Sequence, residues 1–192
     1  MATPHRRRRT AVTGYVYYTA STLDGFLADE NDSLDWLLTQ PIDDDGPFSI
    51  ADLMASTGAI VMGATTYRWV ADHIAASGEP WPYTDHPTFL FTHREVVPID
   101  PSITVVAGTP AEYRGALEDA AGSKNVWVVG GGDLAAQFAE SSMLDEMVVS
   151  FAPATVGSGR PLFPRAFDFE LLETARNKAF VIGRYRVVGP RV

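Results

Sequence analysis

The chain has 192 residues, 46% hydrophobic and 20% charged, a balance that suits a folded domain and excludes a coiled coil, a collagen-like fibre and a wholly disordered chain. The formal charge is −9; Arg6, Arg7, Arg8 and Arg9 are four of 15 basic groups, so the rest carries 11 against 24 acids and should repel a nucleic-acid backbone. With no Cys and no apolar run of about 18 residues, the sequence offers no disulfide, no thiolate centre and no membrane span, and the cytoplasm is the expected compartment. Residues 1–10 read as a flexible basic tail and residues 11–192 as a single domain.

In chain order, residues 12–20 read as a first, largely buried strand. A bend at Asp24-Gly25 follows, then an acidic stretch in which residues 33–38 make a short helix, and a proline- and aspartate-bearing loop over 41–47. Phe48, Ala51, Met54 and Ala55 fall at helical spacing and predict a helix over 48–56. The apolar run 59–62 is a buried strand that stops at Gly63, and Thr65 or Thr66 caps a helix through Val70. A connection over 78–87 leads to a strand over 88–92, and another strand covers 103–107. Thr109, Pro110 and Glu112 form a capping box with proline at the first helical position, opening a helix to about Ala120. Residues 126–129 form a core strand ending at Gly130-Gly131-Gly132, followed by a helix over 134–141 and a strand over 147–152. Residues 167–174 and 179–188 read as strands joined by a turn at 176–178; with no crossover helix between them, they pair antiparallel. The result is an α/β chain, a mixed sheet with helices on both faces.

Candidate chemistry sits where strands end. Gly130-Gly131-Gly132 leads a strand into a helix, where a backbone without Cβ atoms admits a ligand closely and helix N–H groups suit a phosphate. The run is neither GxGxxG nor a phosphate loop with its lysine, so a flexible turn is the competing reading. Gly63-Ala64-Thr65-Thr66 repeats the strand–turn–helix form, and its threonines either meet a second phosphate or cap the helix. His93 and Arg94, after Thr92, suit a purine edge and a phosphate, or are surface residues. Asp24 is a site acid or part of an ordinary Asp-Gly turn, and Asp52 a site acid or a surface group. The four histidines lack metal-binding spacing, and no Ser stands in a GxSxG context.

Taken in order, the segments 21–28 (Ser-Thr-Leu-Asp-Gly-Phe-Leu-Ala), 61–67 (Val-Met-Gly-Ala-Thr-Thr-Tyr), 91–94 (Phe-Thr-His-Arg), 129–134 (Val-Gly-Gly-Gly-Asp-Leu), 144–146 (Leu-Asp-Glu) and 153–163 (Pro-Ala-Thr-Val-Gly-Ser-Gly-Arg-Pro-Leu-Phe) resemble the dihydrofolate reductase-like superfamily. Within it, the chain resembles the C-terminal reductase domain of the bifunctional riboflavin-biosynthesis deaminase-reductase. The resemblance implies a three-layer fold: a central mixed, mostly parallel sheet, helices on both faces, a C-terminal antiparallel hairpin, and NADPH across the strand ends. It puts Gly130, Gly131, Gly132, Asp133 and Leu134 beside the pyrophosphate and nicotinamide, with an unusual Gly–Gly peptide. Gly63, Thr65 and Thr66 then lie at the phosphates, Thr92 and Arg94 on the adenosine side with its 2′-phosphate, and Ala20 near the nicotinamide. Residues 24–28 begin a loop over the active site; Asp24, Asp52, Tyr67 or water supplies the proton. Trp36, Trp69 and Trp81 are walls for a planar substrate or ordinary core aromatics.

Three departures from the family pattern bear on the cofactor preference and on the substrate. Ala64 replaces the family's arginine, which removes a phosphate contact. Ile50 stands where dihydrofolate reductases carry the pterin-holding acid, and Asp52, two residues on, falls on another helix face. Phe26 and Leu27 stand where the riboflavin-pathway enzymes place a lysine. The implied activity is hydride transfer from NADPH to a small pterin-, pyrimidine- or ribityl-like compound, related to 5-amino-6-(5-phosphoribosylamino)uracil reductase. The alternative is a nucleotide-binding protein that keeps the fold with weak or no catalysis. The expected partners are a small-molecule substrate and a second copy of the chain; no metal, nucleic acid or membrane is expected.

Overall fold

A computed structural model describes residues 13–192. The basic tail expected over 1–10 lies outside the described residues. The chain runs through β1 (Tyr15–Ser21), β2 (Phe26–Ala28), α1 (Asp35–Leu38), α2 (Ile50–Ser56), β3 (Thr57–Gly63), α3 (Ala64–Ser77), β4 (Thr88–Phe91) and β5 (Ile103–Val106). A 3₁₀ turn at Pro110–Tyr113 leads to α4 (Arg114–Ala121), then β6 (Asn125–Gly130), α5 (Gly132–Glu140), β7 (Glu146–Phe151), β8 (Arg160–Pro161), β9 (Phe167–Asn177) and β10 (Phe180–Pro190).

Alternating burial decides which layer each strand serves. Tyr15 and Tyr17 of β1, with Val61 of β3 and Val126 and Val128 of β6, pack against Leu117 of α4 and Phe138 of α5. The intervening residues turn the other way: Ile60, Met62 and Trp127 meet Leu53 of α2 and Val70 of α3. Val148, Phe180 and Ile182 gather Trp36 and Leu37 of α1 and the loop residue Phe48 on a third patch. Helices therefore cover both faces of one eight-stranded sheet, ordered β5-β4-β3-β6-β1-β7-β10-β9. The first six strands of that order are parallel, and β10 runs antiparallel to both β7 and β9. The mixed sheet, the two helical layers and the closing hairpin are as the sequence implies.

The differences are local and have physical causes. β1 begins at Tyr15 and ends at Ser21, later than expected at both ends. α2 starts at Ile50 because the Ser49 hydroxyl accepts the Asp52 N–H (3.1 Å), which makes Ser49 the cap and leaves Phe48 outside the helix at φ 56°. Neither Thr65 nor Thr66 caps α3: Gly63 is the cap residue, the threonines sit in the first turn, and the helix runs on to Ser77. The Glu112 carboxylate accepts from the Thr109 N–H (2.6 Å) and hydroxyl (3.0 Å), but the turn it closes is 3₁₀ before α4 takes over. Helix α5 starts two residues earlier than expected, at Gly132. A small second sheet, β2 with β8, joins two segments more than a hundred residues apart, which local pattern does not reveal. Among the described residues, no helix is long and apolar enough to cross a membrane.

Candidate functional site

The parallel strands β4, β3, β6, β1 and β7 end on one edge of the sheet, and β10 begins there. A cavity of about 920 Å³ opens along that edge, the usual position for a ligand in an open α/β sheet. Phe91, Gly63, Gly130, Ala20, Ser150 and Phe180 mark the six strand ends in its wall.

Two helices start at this edge. The cap residues Gly63 of α3 (φ −87°, ψ 165°) and Gly131 of α5 (φ −78°, ψ −175°) have extended backbones, and no side chain caps either helix. The first-turn N–H groups of residues 64–66 and 132–134 therefore retain donor capacity at the cavity, with the positive ends of both helix dipoles. The two turns touch: a Cβ built on Gly130 would lie 3.4 Å from Thr66 Oγ1. The Gly130–Gly131 peptide is cis, the unusual Gly–Gly geometry that the family resemblance implies. A Cβ on Gly131 would meet nothing within 4 Å, so the space beside it is open. A Cβ on Gly132 would lie 2.3 Å from Pro161 O and 2.4 Å from Leu162 O, so that glycine lets the 160–163 segment lie against α5.

All the residues expected at a cofactor line this one cavity: Ala20, Gly63, Thr65, Thr66, Thr92, Arg94, Gly130, Gly131, Gly132, Asp133 and Leu134. Thr92 Oγ1 accepts the Arg94 N–H (3.0 Å) and shapes the turn that carries this arginine. The Asp133 carboxylate is engaged by Arg165 (3.0 Å) and Gln137 (2.8 Å), which offsets its charge beside the helix start.

Asp24, Asp52 and Tyr67 are not brought to the cavity. Asp24 is occupied elsewhere, accepting from the Thr22 hydroxyl (2.5 Å) and from the N–H groups of Gly157 (2.7 Å) and Val156 (3.1 Å). The Thr22 hydroxyl foremost, then those N–H groups, hold its carboxyl below the ordinary carboxylate range. Tyr67 is buried, and its hydroxyl accepts from Ile99 N–H (3.1 Å) and donates to Val97 O (3.4 Å), tethering the loop before β5. Asp52 does not line the main cavity but borders an adjoining hollow of about 340 Å³ with Glu146, Arg184 and Asn125, behind the Tyr18, Phe48, Ser49 and Trp127 that the two share. Ile50, two residues earlier, does line the main cavity, so the helix geometry separates the two positions as their spacing predicts. Of the three tryptophans expected as walls, Trp69 lines the cavity, stacked on His73, while Trp36 packs in the third core patch and Trp81 in the second; the fourth, Trp127, lines it too.

The rest of the wall comes from elements without a local motif. Tyr18 reaches it from β1 and Phe48 from the loop before α2, while Phe180 and Ile182 come through the return of β10 beside β7. The Tyr18 hydroxyl donates to Phe48 O; burial, with Asp52 adding, pushes its pKa up to about 12. Leu27, Ala28, Arg160 and Pro161 of the β2–β8 sheet also line the cavity, and residues 24–28 thus lead into its wall. Arg160 grips Asp32 through two bonds, 2.5 and 3.2 Å, and holds the Asp32 carboxyl below its ordinary range. Among the described residues, no cluster of three His, Cys, Asp or Glu side chains is arranged to hold a metal ion.

The model of the RibD C-terminal domain family matches residues 15–179. The chain belongs to this family. The uncharacterized protein YwjB of Bacillus subtilis (strain 168) is 29% identical over 165 residues, covering 86% of this chain and 91% of the relative. A candidate riboflavin biosynthesis protein from Shewanella sp. PV-4 superposes with a TM-score of 0.75 at 23% identity, covering 91% of this chain and 99% of that one. The dihydrofolate reductase of Enterococcus faecalis, solved with NADP(H), superposes with a TM-score of 0.58 at 13% identity, covering 91% and 96%. These two structures establish that the RibD C-terminal domain of this chain has the dihydrofolate reductase-like fold.

Proposed function

We propose that this chain is an NADPH-dependent reductase that transfers a hydride to a small pterin-, pyrimidine- or ribityl-like compound, working in the cytoplasm as a homodimer. One observation carries the reading: two uncapped helix N-termini and Arg94 open on a single cavity at the strand ends. The donor set fits a dinucleotide phosphate. The N–H groups of residues 64–66 and 132–134 would hold the pyrophosphate without a counter-charge from a side chain. Arg94 would hold the 2′-phosphate; Ala64 offers no second cation. Gly131, with open space where a Cβ would stand, admits a flat group against the backbone, and Ala20 borders the same space from β1. When bound, the reduced nicotinamide supplies the hydride. The protein's share is to orient both partners and, through the β2–β8 wall, to keep water from the reacting atoms.

A nucleotide-binding protein without efficient turnover is the second reading. It is favoured by the positions of Asp24, Asp52 and Tyr67, none of which reaches the cavity to supply a proton. Following reduced-nicotinamide absorbance over a broad panel of electrophilic heterocycles distinguishes the two. Substrate-dependent loss of NADPH supports the reductase; tight NADPH binding with no turnover across the panel supports the second reading.

A further inference from the structure

The cavity divides along the sheet. The ends of β4, β3 and β6 border the half that the nucleotide takes in the proposed function. The other half lies against β1, β7 and β10, beside α1 and the 41–49 loop. At about 920 Å³ the whole lies near the upper end of the roughly 300–1,000 Å³ typical of small-molecule sites, which leaves space for a second, smaller molecule.

The second half is lined largely by apolar side chains and holds no free cation among the described residues. Leu37, Leu38, Ile42, Phe48, Ile50 and Phe180 line it. Leu38, Ile42 and Ile50 are 61%, 50% and 54% exposed, three large apolar side chains left uncovered at one opening. Several of its polar groups already have partners. The Tyr18 hydroxyl donates to Phe48 O, Ser49 Oγ accepts from the Asp52 N–H, and Asn177 exchanges two 2.9 Å bonds with the Asp43 backbone. Lys178, on the adjacent turn, donates to Ile42 O (3.1 Å) and is not in the wall. Arg94 and Arg160 are the only Arg or Lys side chains in the wall among the described residues; the first sits at the β4 end and the second is held by Asp32. By contrast, the side chains of Asp43 and Asp44 make no ion pair among the described residues, and both residues line this half.

We infer that this half takes a flat, apolar, phosphate-free compound, uncharged or cationic, as the hydride acceptor; the assignment rests on the nucleotide occupying the other half. A phosphate here would lose its hydration without gaining a cation, and would meet two carboxylates of its own sign. Apolar ring faces cover Leu38, Ile42 and Ile50 at no such cost. The family's phosphorylated pyrimidine is therefore the wrong charge type for this chain.

Calorimetry on the full chain tests this without turnover. Oxidised NADP is titrated first; the saturated protein is then titrated with three matched pairs. These are riboflavin and its 5′-phosphate, pyridoxal and its 5′-phosphate, and 5-amino-6-ribosylaminouracil and its 5′-phosphate. The expected result is at least one pair in which the phosphate-free member binds about 10-fold tighter or more, a difference of about 1.4 kcal/mol. Asp44→Lys should narrow that gap with nucleotide affinity unchanged. If no pair shows the preference, or Asp44→Lys leaves the gap as it was, the inference is overturned while the functional reading stands. Failure of the first titration overturns the functional reading, and with it the division of the cavity.

Discussion

Gly131 and Gly132, adjacent at the cavity, have separable duties, and substitution should tell them apart. Gly132 lets the backbone of Pro161 and Leu162 lie against α5, so Gly132→Val forces two segments apart and should lower the melting temperature whatever ligand is present. Arg94 acts on charge alone in the proposed function, so Arg94→Ala should weaken NADPH by about 10- to 100-fold while NADH, which lacks the 2′-phosphate, changes little. Equal losses for the two cofactors, read by calorimetry, would remove Arg94 from that role. Asp24 holds the 153–157 segment rather than the reacting atoms, and its carboxyl sits below the ordinary range because Thr22 and two backbone N–H groups favour the charged form. A depressed folded pKa gives stability that is present above the unfolded value and lost as pH falls through the folded one. The melting temperature of Asp24→Asn should therefore lie below the parent's at pH 7, and the gap should close in acid below the usual carboxylate range. A gap that persists unchanged there would exclude the carboxylate as the fastener.

Elements carry the site by where they end, and this is also what made part of it legible in the sequence. The runs 59–62 and 126–129 have no polar break, as parallel strands buried on both faces require, and each stops at glycine before a helix. Those two boundaries, with Thr92 and Arg94, locate one half of the cavity from local pattern and family resemblance. The other half was not legible, because it is made by long-range pairing. β10 returns antiparallel beside β7 to bring Phe180 and Ile182 to the cavity, and β2 meets β8 across the chain. Asp24, Asp52 and Tyr67 read as acids and donors near a site; tertiary partners give Asp24 and Tyr67 structural tasks, and the helix face carries Asp52 to the adjoining hollow. Asn177 shows the same effect in reverse. Its position in a turn gave no sign that its buried amide would clamp the 41–47 loop through the Asp43 backbone. Asn177→Ala leaves those two backbone groups unpaired and should cost about 1–3 kcal/mol by chemical denaturation. Hydrogen exchange should quicken first at residues 43–47; unchanged protection there would show that the clamp is not Asn177.

For the whole molecule, two helical layers over a mostly parallel sheet leave one working edge, and the antiparallel pair β9–β10 closes the sheet away from the β4 and β5 end. The stability of that frame rests on packing such as Phe138, fully buried between α5 and the sheet, and Phe138→Ala should cost about 3–5 kcal/mol in a denaturant titration. A loss under 1 kcal/mol would mean that this layer is not packed as described. The proposed homodimer should appear as twice the chain mass in light scattering at low micromolar concentration, with residues 1–10 removed and at moderate salt; the single mass would defeat it. The central claim is that the Gly130-Gly131-Gly132 edge holds a dinucleotide, and Gly131 tests it most directly because the space beside it is open. Calorimetric titration of NADPH into the parent and into a folded Gly131→Val should give saturable binding to the first, at one nucleotide per chain, and at least a 10-fold loss in the second. Equal binding by both proteins, or no saturable binding by the parent, would contradict it.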